Sequence, residues 1–327
     1  MPAPSFTEAL CVYQWVLTFL LMGVFGTLLT TYLLFTPLWP FAVLYLTWLI
    51  VDRNTPERGG RRSQWIRNWT LWKRMSNYFP VTLVKTAELS PKRNYILGYH
   101  PHGIMCVGAF SNFCTEATGF SRVFPGITPH LATLTGLFRL PICRDYLLSS
   151  GACSVSQASL SHLLVERGVG AAVVIVVGGA AESMSAHPGN HAVLLTNRKG
   201  FIRLALEFGA DLVPVYCFGE NEVYDQVIFA PSSYAKRFQC LFQKLLGFAP
   251  CLFRGQGLFF TRSWGLMPYA RPVTTLVGQP IVVKRTPNPS QDKVDRYHKL
   301  YQEALIRLFD EHKVSCGLPE SARLIVY

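Results

Sequence analysis

Residues 9–51 contain no aspartate, glutamate, lysine or arginine, an uncharged stretch of 43 residues. A membrane-spanning helix needs about 20 apolar residues, so the stretch is long enough for two passes. Thr36, Pro37 and Pro40 interrupt it, because proline removes a helical hydrogen bond. The pattern predicts one membrane helix over residues 11–35 and a shorter one over residues 38–51. A signal peptide is the alternative, disfavoured by Glu8, which stands where a basic flank belongs.

A basic and aromatic segment follows the apolar stretch. Its basic residues are Arg53, Arg58, Arg61, Arg62, Arg67, Lys73 and Arg74. Because short basic flanks stay cytoplasmic, the rest of the chain is predicted to face the cytosol. The cluster is either a stop-transfer anchor or a site for anionic lipid head groups or substrate phosphates. Trp65, Trp69 and Trp72 recur at helical spacing, which predicts an interfacial helix within residues 52–80.

Charge and cysteine content restrict the class of protein further. The chain has 31 basic and 19 acidic residues, a formal net charge of +12, which indicates an anionic partner. Nucleic acid is disfavoured, because the basic and aromatic residues directly follow a membrane segment. With 50% hydrophobic residues the chain is not disordered. The nine cysteines form no CxxC pair and no zinc-like spacing, so they are expected to be reduced thiols and no metal site is expected.

Apolar runs without alternation predict buried parallel strands over residues 94–99, 171–177 and 212–218. A fourth run, residues 273–283, contains Gly278 and Pro280 and predicts an interrupted or edge strand. Helices are predicted over residues 156–167, 200–208 and 233–246, and from near Ser290. Together these elements predict an α/β fold. A membrane hairpin (1–51) and the interfacial segment (52–80) precede a cytosol-facing domain (81–327) with a mixed sheet flanked by helices.

Polar residues follow the three parallel strands at the point where each ends. The segments are Tyr99-His100-Pro101-His102-Gly103, Gly178-Gly179-Ala180-Ala181-Glu182 and Gly219-Glu220-Asn221-Glu222. Ligands of open α/β sheets bind beyond the carboxyl ends of the strands, so a site is predicted there. The sequence lacks a P-loop, a G-x-S-x-G elbow and a complete G-x-G-x-x-G. The common fingerprints of nucleotide-phosphate, serine-hydrolase and dinucleotide sites are therefore excluded.

An ordered set of segments resembles the type-2 diacylglycerol acyltransferase family, with its related monoacylglycerol and wax-alcohol acyltransferases. The segments are Tyr78-Phe79-Pro80, Tyr99-His100-Pro101-His102-Gly103, Val177-Gly178-Gly179-Ala180-Ala181-Glu182, Arg198-Lys199-Gly200-Phe201, Leu212-Val213-Pro214-Val215 and Phe218-Gly219-Glu220. The resemblance implies a glycerolipid-acyltransferase-like sheet and transfer of a fatty acyl group from acyl-CoA to a neutral lipid alcohol, with an acylglycerol favoured. Acyl-CoA would be the co-substrate, with no cofactor. It also implies residence in the endoplasmic reticulum and on lipid droplets, and the two predicted membrane helices make the protein a multi-pass one.

Acyl transfer needs a base that takes the proton of the acceptor hydroxyl. His102 is the first candidate, because Gly103 opens an apolar run, predicted to be helical from Ile104, whose dipole would keep the ring neutral. His100 is the second candidate. Cys106, four residues after His102, is the alternative acyl-accepting thiol.

The ring of the base needs a partner that orients it. Related glycerolipid acyltransferases have an aspartate a few residues after their histidine, but here no acidic residue follows Gly103 before Glu116. Glu182 is therefore predicted to orient the ring, in preference to Glu220. Main-chain amides around Gly103, or at residues 178–179, are the expected oxyanion donors.

Substrate binding is assigned to residues around these segments. Arg198, Lys199 and Arg203 lie at the start of a predicted helix and either bind CoA phosphates or form a solvated basic face. Phe19-Leu20-Leu21-Met22 is similar to the family's Phe-Leu-x-Leu neutral-lipid motif, with methionine for the last leucine. The predicted substrate-binding residues are Tyr99, Gly103, Gly178, Gly179, Arg198, Lys199, Arg203, Glu220, Phe19 and Leu20.

Several alternatives stay open at this point. The acceptor hydroxyl could belong to a monoacylglycerol, a diacylglycerol or a long-chain alcohol, the last giving wax esters. A lipid hydrolase would use the same histidine and carboxylate to activate water. A non-catalytic membrane lipid-binding protein would use its histidines only structurally. The partners expected are acyl-CoA, a neutral lipid and the membrane, with homo-oligomer formation left open.

Overall fold

The apolar N-terminal stretch forms two helices. The computed structural model describes residues 4–259 and 263–327, except for the side chain of Leu246. Helix α1 spans Phe6–Leu33 and α2 spans Trp39–Val51, close to the predicted bounds, and residues 1–3 of the predicted hairpin lie outside the described residues. Helix α1 begins earlier than predicted because Ser5 and Glu8 cap it reciprocally.

Only part of α1 packs on the rest of the chain. Val12, Trp15 and Val16 are buried, and the Trp15 ring lies 5.6 Å from the Phe110 ring. The remaining turns expose apolar side chains such as Phe25. By length and composition α1 can cross a bilayer, whereas the 13 residues of α2 extend only about 20 Å.

The basic and aromatic segment is not one interfacial helix. It forms two short helices, α3 (Gln64–Arg67) and α4 (Thr70–Tyr78), which are separated at Asn68 and Trp69. Trp65 is 74% exposed, but Trp72 is only 2% exposed because its indole packs on Phe110, with ring centroids 5.3 Å apart. The prediction of a single tryptophan stripe facing the membrane is therefore wrong for Trp72, which belongs to the core.

Arg67 does not lie on the predicted basic surface. Its side chain is fully buried, and its Nη1 donates to the carbonyl oxygens of Phe113 and Ser150, both at 2.8 Å. Its Nη2 forms an ion pair with Glu116 at 3.0 Å. A buried guanidinium with several acceptors fixes the segments that supply them. Arg67 thus joins the segment that follows α2 to the body of the protein.

The body is built on a seven-stranded mixed sheet with the order β1-β11-β7-β2-β5-β3-β4. The strands in the described residues are β1 Val81–Lys85, β2 Tyr95–His100, β3 Thr128–Thr133, β4 Ala152–Ser154, β5 Ala171–Val176, β6 Ala192–Val193, β7 Asp211–Phe218, β8 Asp225–Gln226, β9 Phe253–Gln256, β10 Trp264–Gly265, β11 Val273–Val277 and β12 Ile325–Val326. The three predicted strands are confirmed as β2, β5 and β7, which are adjacent and parallel.

The fourth predicted strand is confirmed as interrupted but not as an edge. Strand β11 ends at Val277, and the chain returns to the sheet in a bridge between Ile281 and Leu212. Strand β11 pairs antiparallel with β7 on one side and parallel with β1 on the other. The edge position therefore belongs to β1, which the sequence patterns did not predict.

Helices cover both faces of the sheet. The remaining helices are α5 Val107–Ala109, α6 Phe120–Val123, α7 Cys143–Ser150, α8 Gln157–Val165, α9 Gly179–Ser183, α10 Gly200–Phe208, α11 Tyr234–Leu246 and α12 Gln291–His312. Helices α8, α10 and α12 bury their apolar faces in one core, and α1, α4 and α7 contribute to the other. The predicted helices at 156–167, 200–208 and 233–246 and the last helix are confirmed to within two residues.

Candidate active site

Three strand ends meet at one edge of the sheet, as predicted. Strands β2, β5 and β7 run in the same direction and end at His100, Val176 and Phe218. The segments that follow them carry the two histidines, Glu182 and Glu220. Parallel strands place such segments side by side, and direct hydrogen bonds between the segments confirm that they converge.

His100 is enclosed by the protein. It is fully buried, and its Nε2 lies 3.1 Å from the hydroxyl of Tyr301 in α12. The Tyr301 hydroxyl donates its proton to the Gly98 carbonyl, so His100 Nε2 must be the donor of this pair. Burial lowers the pKa of His100 to about 3. A neutral, enclosed ring that bonds to α12 is less exposed than the ring of His102, so His102 stays the first candidate for the base.

His102 lies in the loop just beyond β2 and is partly exposed. Its Nδ1 is 3.0 Å from the carbonyl oxygen of Gly103. Because a carbonyl only accepts, Nδ1 carries the ring proton and Nε2 has a lone pair. Burial lowers the pKa of His102 below its usual value, and the hydrogen bond to Gly103 opposes this effect. The ring is therefore neutral near pH 7, the state that a general base requires.

The helix expected directly after Gly103 begins only at Val107. Residues 103–105 form a turn, and Cys106 has a left-handed backbone with φ of 54°. His102 consequently does not lie at a helix start, and the predicted effect of a helix dipole on its ring is wrong. Burial replaces it as the physical cause of the neutral ring, and the Gly103 carbonyl determines which ring nitrogen carries the proton.

Glu182 contacts the main chain of His102 and not its imidazole ring. Its Oε1 accepts the main-chain N–H of His102 and its Oε2 accepts that of Leu194, both at 2.6 Å. The expectation that Glu182 orients the imidazole is therefore wrong in its detail, because the carboxylate fixes the backbone on which the ring is mounted. Burial raises the pKa of Glu182 to about 7, against the opposing effects of the two donors and Arg198.

Glu220 accepts hydrogen bonds at the far end of the loop that follows His102. Its carboxylate accepts the main-chain N–H of Val107 at 2.6 Å, that of Gly108 at 2.8 Å and the Tyr99 hydroxyl at 2.7 Å. Glu220 and Tyr99 are both buried. These two residues were predicted to bind substrate, but their bonds are internal. They position the loop between His102 and the following helix.

Two glycines permit the carboxylates to approach the loop so closely. Gly103 has a φ of +63°, and a Cβ there would lie 2.7 Å from Cγ of Glu220. A Cβ on Gly178 would collide with the carboxylate of Glu182. Gly179, the third predicted substrate-binding glycine, has a φ of +58° and open space around it. Glycine is thus required at residues 103 and 178 by contacts within the site.

The three basic residues assigned to CoA are not equivalent. Arg198 Nη2 donates to the Gly178 carbonyl at 3.4 Å, next to Glu182. Lys199 forms an ion pair with Asp295 at 2.8 Å, and Arg203 donates to Gln291 at 3.0 Å. These bonds attach Lys199 and Arg203 to α12 and its preceding loop. Among the three, Arg198 is the one that lies beside the site.

Cys106 contacts the candidate base. Its Sγ lies 3.7 Å from His102 Nε2 and donates to the His102 carbonyl at 3.1 Å. Burial, together with the charges of Glu220 and Glu182, raises the pKa of the Cys106 thiol well above its usual value. A protonated thiol is a poor nucleophile, so the alternative of an acyl-accepting cysteine is disfavoured.

An apolar cavity of about 570 Å³ lies between α1, α2 and α7. Met22, the last residue of the predicted neutral-lipid motif, lines it, whereas Phe19 is 51% exposed and Leu20 packs on the core. Its wall includes Tyr146, whose buried hydroxyl has no hydrogen-bond partner among the described residues and whose ring stacks on Phe110. Sequence reasoning missed Tyr146, because no local pattern indicates a contact with so distant a segment.

Comparisons with known proteins establish the family. The sequence model described as diacylglycerol acyltransferase matches residues 31–327. Diacylglycerol O-acyltransferase 2 of Homo sapiens is 56% identical over 319 residues, which cover 98% of this chain and 82% of the relative. 2-acylglycerol O-acyltransferase 3 of Homo sapiens is 56% identical over 317 residues, which cover 97% and 93%. The chain therefore belongs to the diacylglycerol acyltransferase family, which confirms the resemblance found in the sequence.

A solved structure was also found. The crystal structure of the 1-acyl-sn-glycerophosphate (LPA) acyltransferase PlsC from Thermotoga maritima covers 94% of this chain and 95% of its own, with a TM-score of 0.43 and 12% sequence identity.

Proposed function

We propose that this protein is an acyl-CoA-dependent O-acyltransferase that acylates the hydroxyl group of mono- or diacylglycerol and so contributes to triacylglycerol synthesis. The observation that carries the proposal is the 56% identity, over nearly the whole chain, to relatives named for acylglycerol acylation. The site adds a neutral histidine with an unprotonated Nε2, which is the group that such a reaction needs.

In the proposed reaction, His102 Nε2 takes the proton of the acceptor hydroxyl as the oxygen attacks the thioester carbonyl of acyl-CoA. The new ester bond forms, the C–S bond breaks, and the proton passes from Nε2 to the departing CoA sulfur. Amide groups at Gly103 or residues 178–179 remain the proposed oxyanion donors. Arg198 is the proposed contact for CoA phosphate, since Lys199 and Arg203 are engaged with α12 and its preceding loop.

We also propose that α1 and α2 insert into the endoplasmic reticulum membrane and that the sheet domain faces the cytosol, with lipid droplets as a second location. The support is the uncharged stretch, the exposed apolar side chains of both helices and the basic residues that follow α2. The cavity at Met22 and Tyr146 opens between these helices, and it is the proposed entry for the lipid acceptor.

The function is tested by the identity of the product. Microsomes containing the full chain are supplied with labelled oleoyl-CoA and, in turn, with 2-acylglycerol, diacylglycerol and a long-chain alcohol. We expect label in diacylglycerol or triacylglycerol at a rate well above that in wax ester. Wax ester as the main product would make the alcohol the acceptor. Label in free fatty acid without any acceptor would identify a hydrolase, and no release of CoA in any mixture would identify a lipid carrier.

Glu182→Gln should lower kcat by about 10²-fold, because a displacement of a catalytic group by about 1 Å has an effect of this size. Glutamine retains one acceptor oxygen, whereas the carboxylate accepts N–H groups of both His102 and Leu194. The measurement is kcat in microsomes, normalised to the amount of folded protein. Glu166→Gln is the matched control, since Glu166 is exposed. A wild-type kcat in Glu182→Gln would show that Glu182 does not position His102.

The pH dependence of kcat/KM should also depend on Glu182. With a pKa of about 7, its carboxylate takes up a proton on acidification and holds the His102 N–H less well. Activity is therefore expected to fall as pH decreases through about 7, and the residual activity of Glu182→Gln should lack this step. Because the folded-state pKa lies above the ordinary value of 4.5, proton uptake favours the folded state, so the loss should occur without unfolding. Identical profiles in both proteins would contradict this prediction.

A further inference from the structure

A separate cavity of about 370 Å³ lies at the end of α2, where the chain leaves the apolar hairpin. It is bounded by the last turn of α2, the segment that follows it, and the single-turn helix Thr135–Arg139 with the start of α7. Its volume is within the range of small-molecule sites. His102 is not among its lining residues, so the cavity is distinct from the candidate active site.

Three arginines line this cavity with unused hydrogen-bonding capacity. Arg144 is 98% buried, its side chain having 2% relative exposure, and its Nη2 pairs with Asp52 at 2.6 Å. Its Nη1 has no hydrogen-bond partner, and a carboxylate oxygen of Asp145 lies 3.9 Å from it. Arg53 and Arg139 are exposed, and within the described residues their side chains form no hydrogen bond or ion pair. A buried donor without an acceptor is costly, so Nη1 of Arg144 points to an anionic ligand.

The carboxylates near the cavity neutralise Arg144 but not Arg53 and Arg139. Asp52 is committed to two guanidinium groups, Arg144 at 2.6 Å and Arg61 at 3.0 Å. Glu57 is the acidic residue that lines the cavity itself. With Arg144 paired to Asp52, Arg53 and Arg139 against Glu57 leave the lining with an excess of one positive charge.

The other wall of the cavity is apolar. Leu49 and Ile50, from the last turn of α2, line it, and Ile50 is 67% exposed. A ligand that fits both walls carries a negatively charged oxygen-rich group beside hydrocarbon chains. Free phosphate would leave the apolar wall uncovered, whereas the phosphate of a lipid would enter with its chains along α2.

We propose that this cavity binds an anionic glycerophospholipid. The lipid phosphate lies among Arg53, Arg139 and Nη1 of Arg144, and its acyl chains lie along Leu49 and Ile50. The site is separate from the acyl-transfer reaction and binds a lipid that is neither its acyl donor nor its acceptor. It places a charged lipid at the point where the hairpin joins the sheet domain.

The test uses the purified full-length protein in neutral detergent and dioctanoyl phosphatidate as the probe, with dioctanoyl phosphatidylcholine, inorganic phosphate and CoA as comparison ligands. The variant is Arg53→Gln with Arg139→Gln. Its matched control is Arg58→Gln with Arg122→Gln, which removes the same charge at two exposed arginines outside the cavity. Glu57→Gln is a third variant, and Arg144 is left unchanged because it is buried. Thermal denaturation verifies that each variant is folded.

We expect phosphatidate to bind more tightly than phosphatidylcholine. The cavity variant should weaken phosphatidate binding at least about 10-fold, and the control should change it less than about twofold. Glu57→Gln should strengthen phosphatidate binding. Equal weakening in the variant and the control would reduce the site to general surface charge and overturn the proposal. Equal affinity for the two lipids would also overturn it. Displacement of phosphatidate by CoA or by inorganic phosphate at lower concentration than the lipid itself would assign the cavity to a soluble phosphate.

Discussion

Replacing His102 with alanine is expected to reduce acyl transfer by at least about 10²-fold, because a positioned general base contributes about 10²–10⁴-fold to such a step. The expectation depends on the hydrogen bond to Gly103, which leaves Nε2 unprotonated, and on the partial exposure of His102. The rate of labelled triacylglycerol formation, divided by the amount of membrane-bound protein, measures the effect.

His100→Ala and Cys106→Ser are the comparison variants. His100→Ala removes a buried contact with Tyr301, so it should lower the amount of folded protein more than the kcat of the protein that folds. Cys106→Ser should retain activity, because its thiol is protonated. Near wild-type activity in His102→Ala would exclude His102 as the base. Loss of kcat in well-folded His100→Ala would transfer that role to His100.

Glu220→Ala is expected to destabilise the protein by roughly 3–5 kcal/mol. The substitution leaves the N–H groups of Val107 and Gly108 and the Tyr99 hydroxyl without their acceptor in a buried region. Glu220→Gln keeps one acceptor oxygen, so it should have a smaller effect in the same direction. The measurement is thermal denaturation of the full-length protein in detergent.

The exposed Glu166 provides the control for this series. Glu166→Ala should change stability by less than about 0.5 kcal/mol, as is usual for surface substitutions. A Glu220→Ala protein that denatures at the same temperature as Glu166→Ala would show that the loop does not depend on this carboxylate. The role that we assign to Glu220 would then be wrong.

Long regular patterns predicted most of the fold. The uncharged stretch and the buried apolar runs specified two N-terminal helices and three adjacent parallel strands, because hydrophobic burial dominates in such segments. The edge strand β1 was missed, since its pairing with β11 joins segments almost 200 residues apart. The tryptophan spacing was misleading for the same reason, because Trp72 packs on Phe110 and this tertiary contact overrides a local amphipathic pattern.

The sequence predicted which residues form the site but not which of their atoms form hydrogen bonds. The sequence places His102, Glu182 and Glu220 after neighbouring strands, and the structure brings all three to one loop. Which atoms bond could not be predicted, because both carboxylates accept main-chain N–H groups, and a main-chain partner leaves no signature in residue type. The orienting partner of the imidazole was missed for this reason too, since it is the carbonyl of Gly103.

The buried guanidinium of Arg67 affects how the sheet domain is positioned relative to the N-terminal helices. Because it bonds to carbonyls of segments that belong to the sheet domain, the helix that carries Arg67 is held against that domain. With α1 and α2 inserted in a bilayer as proposed, the height and tilt of the His102 loop above that bilayer would be set by the fold itself. Under that proposal a lipid substrate would reach the site at a constant height above the bilayer, and a spacer inserted beside Arg67 would change that height along with the fold.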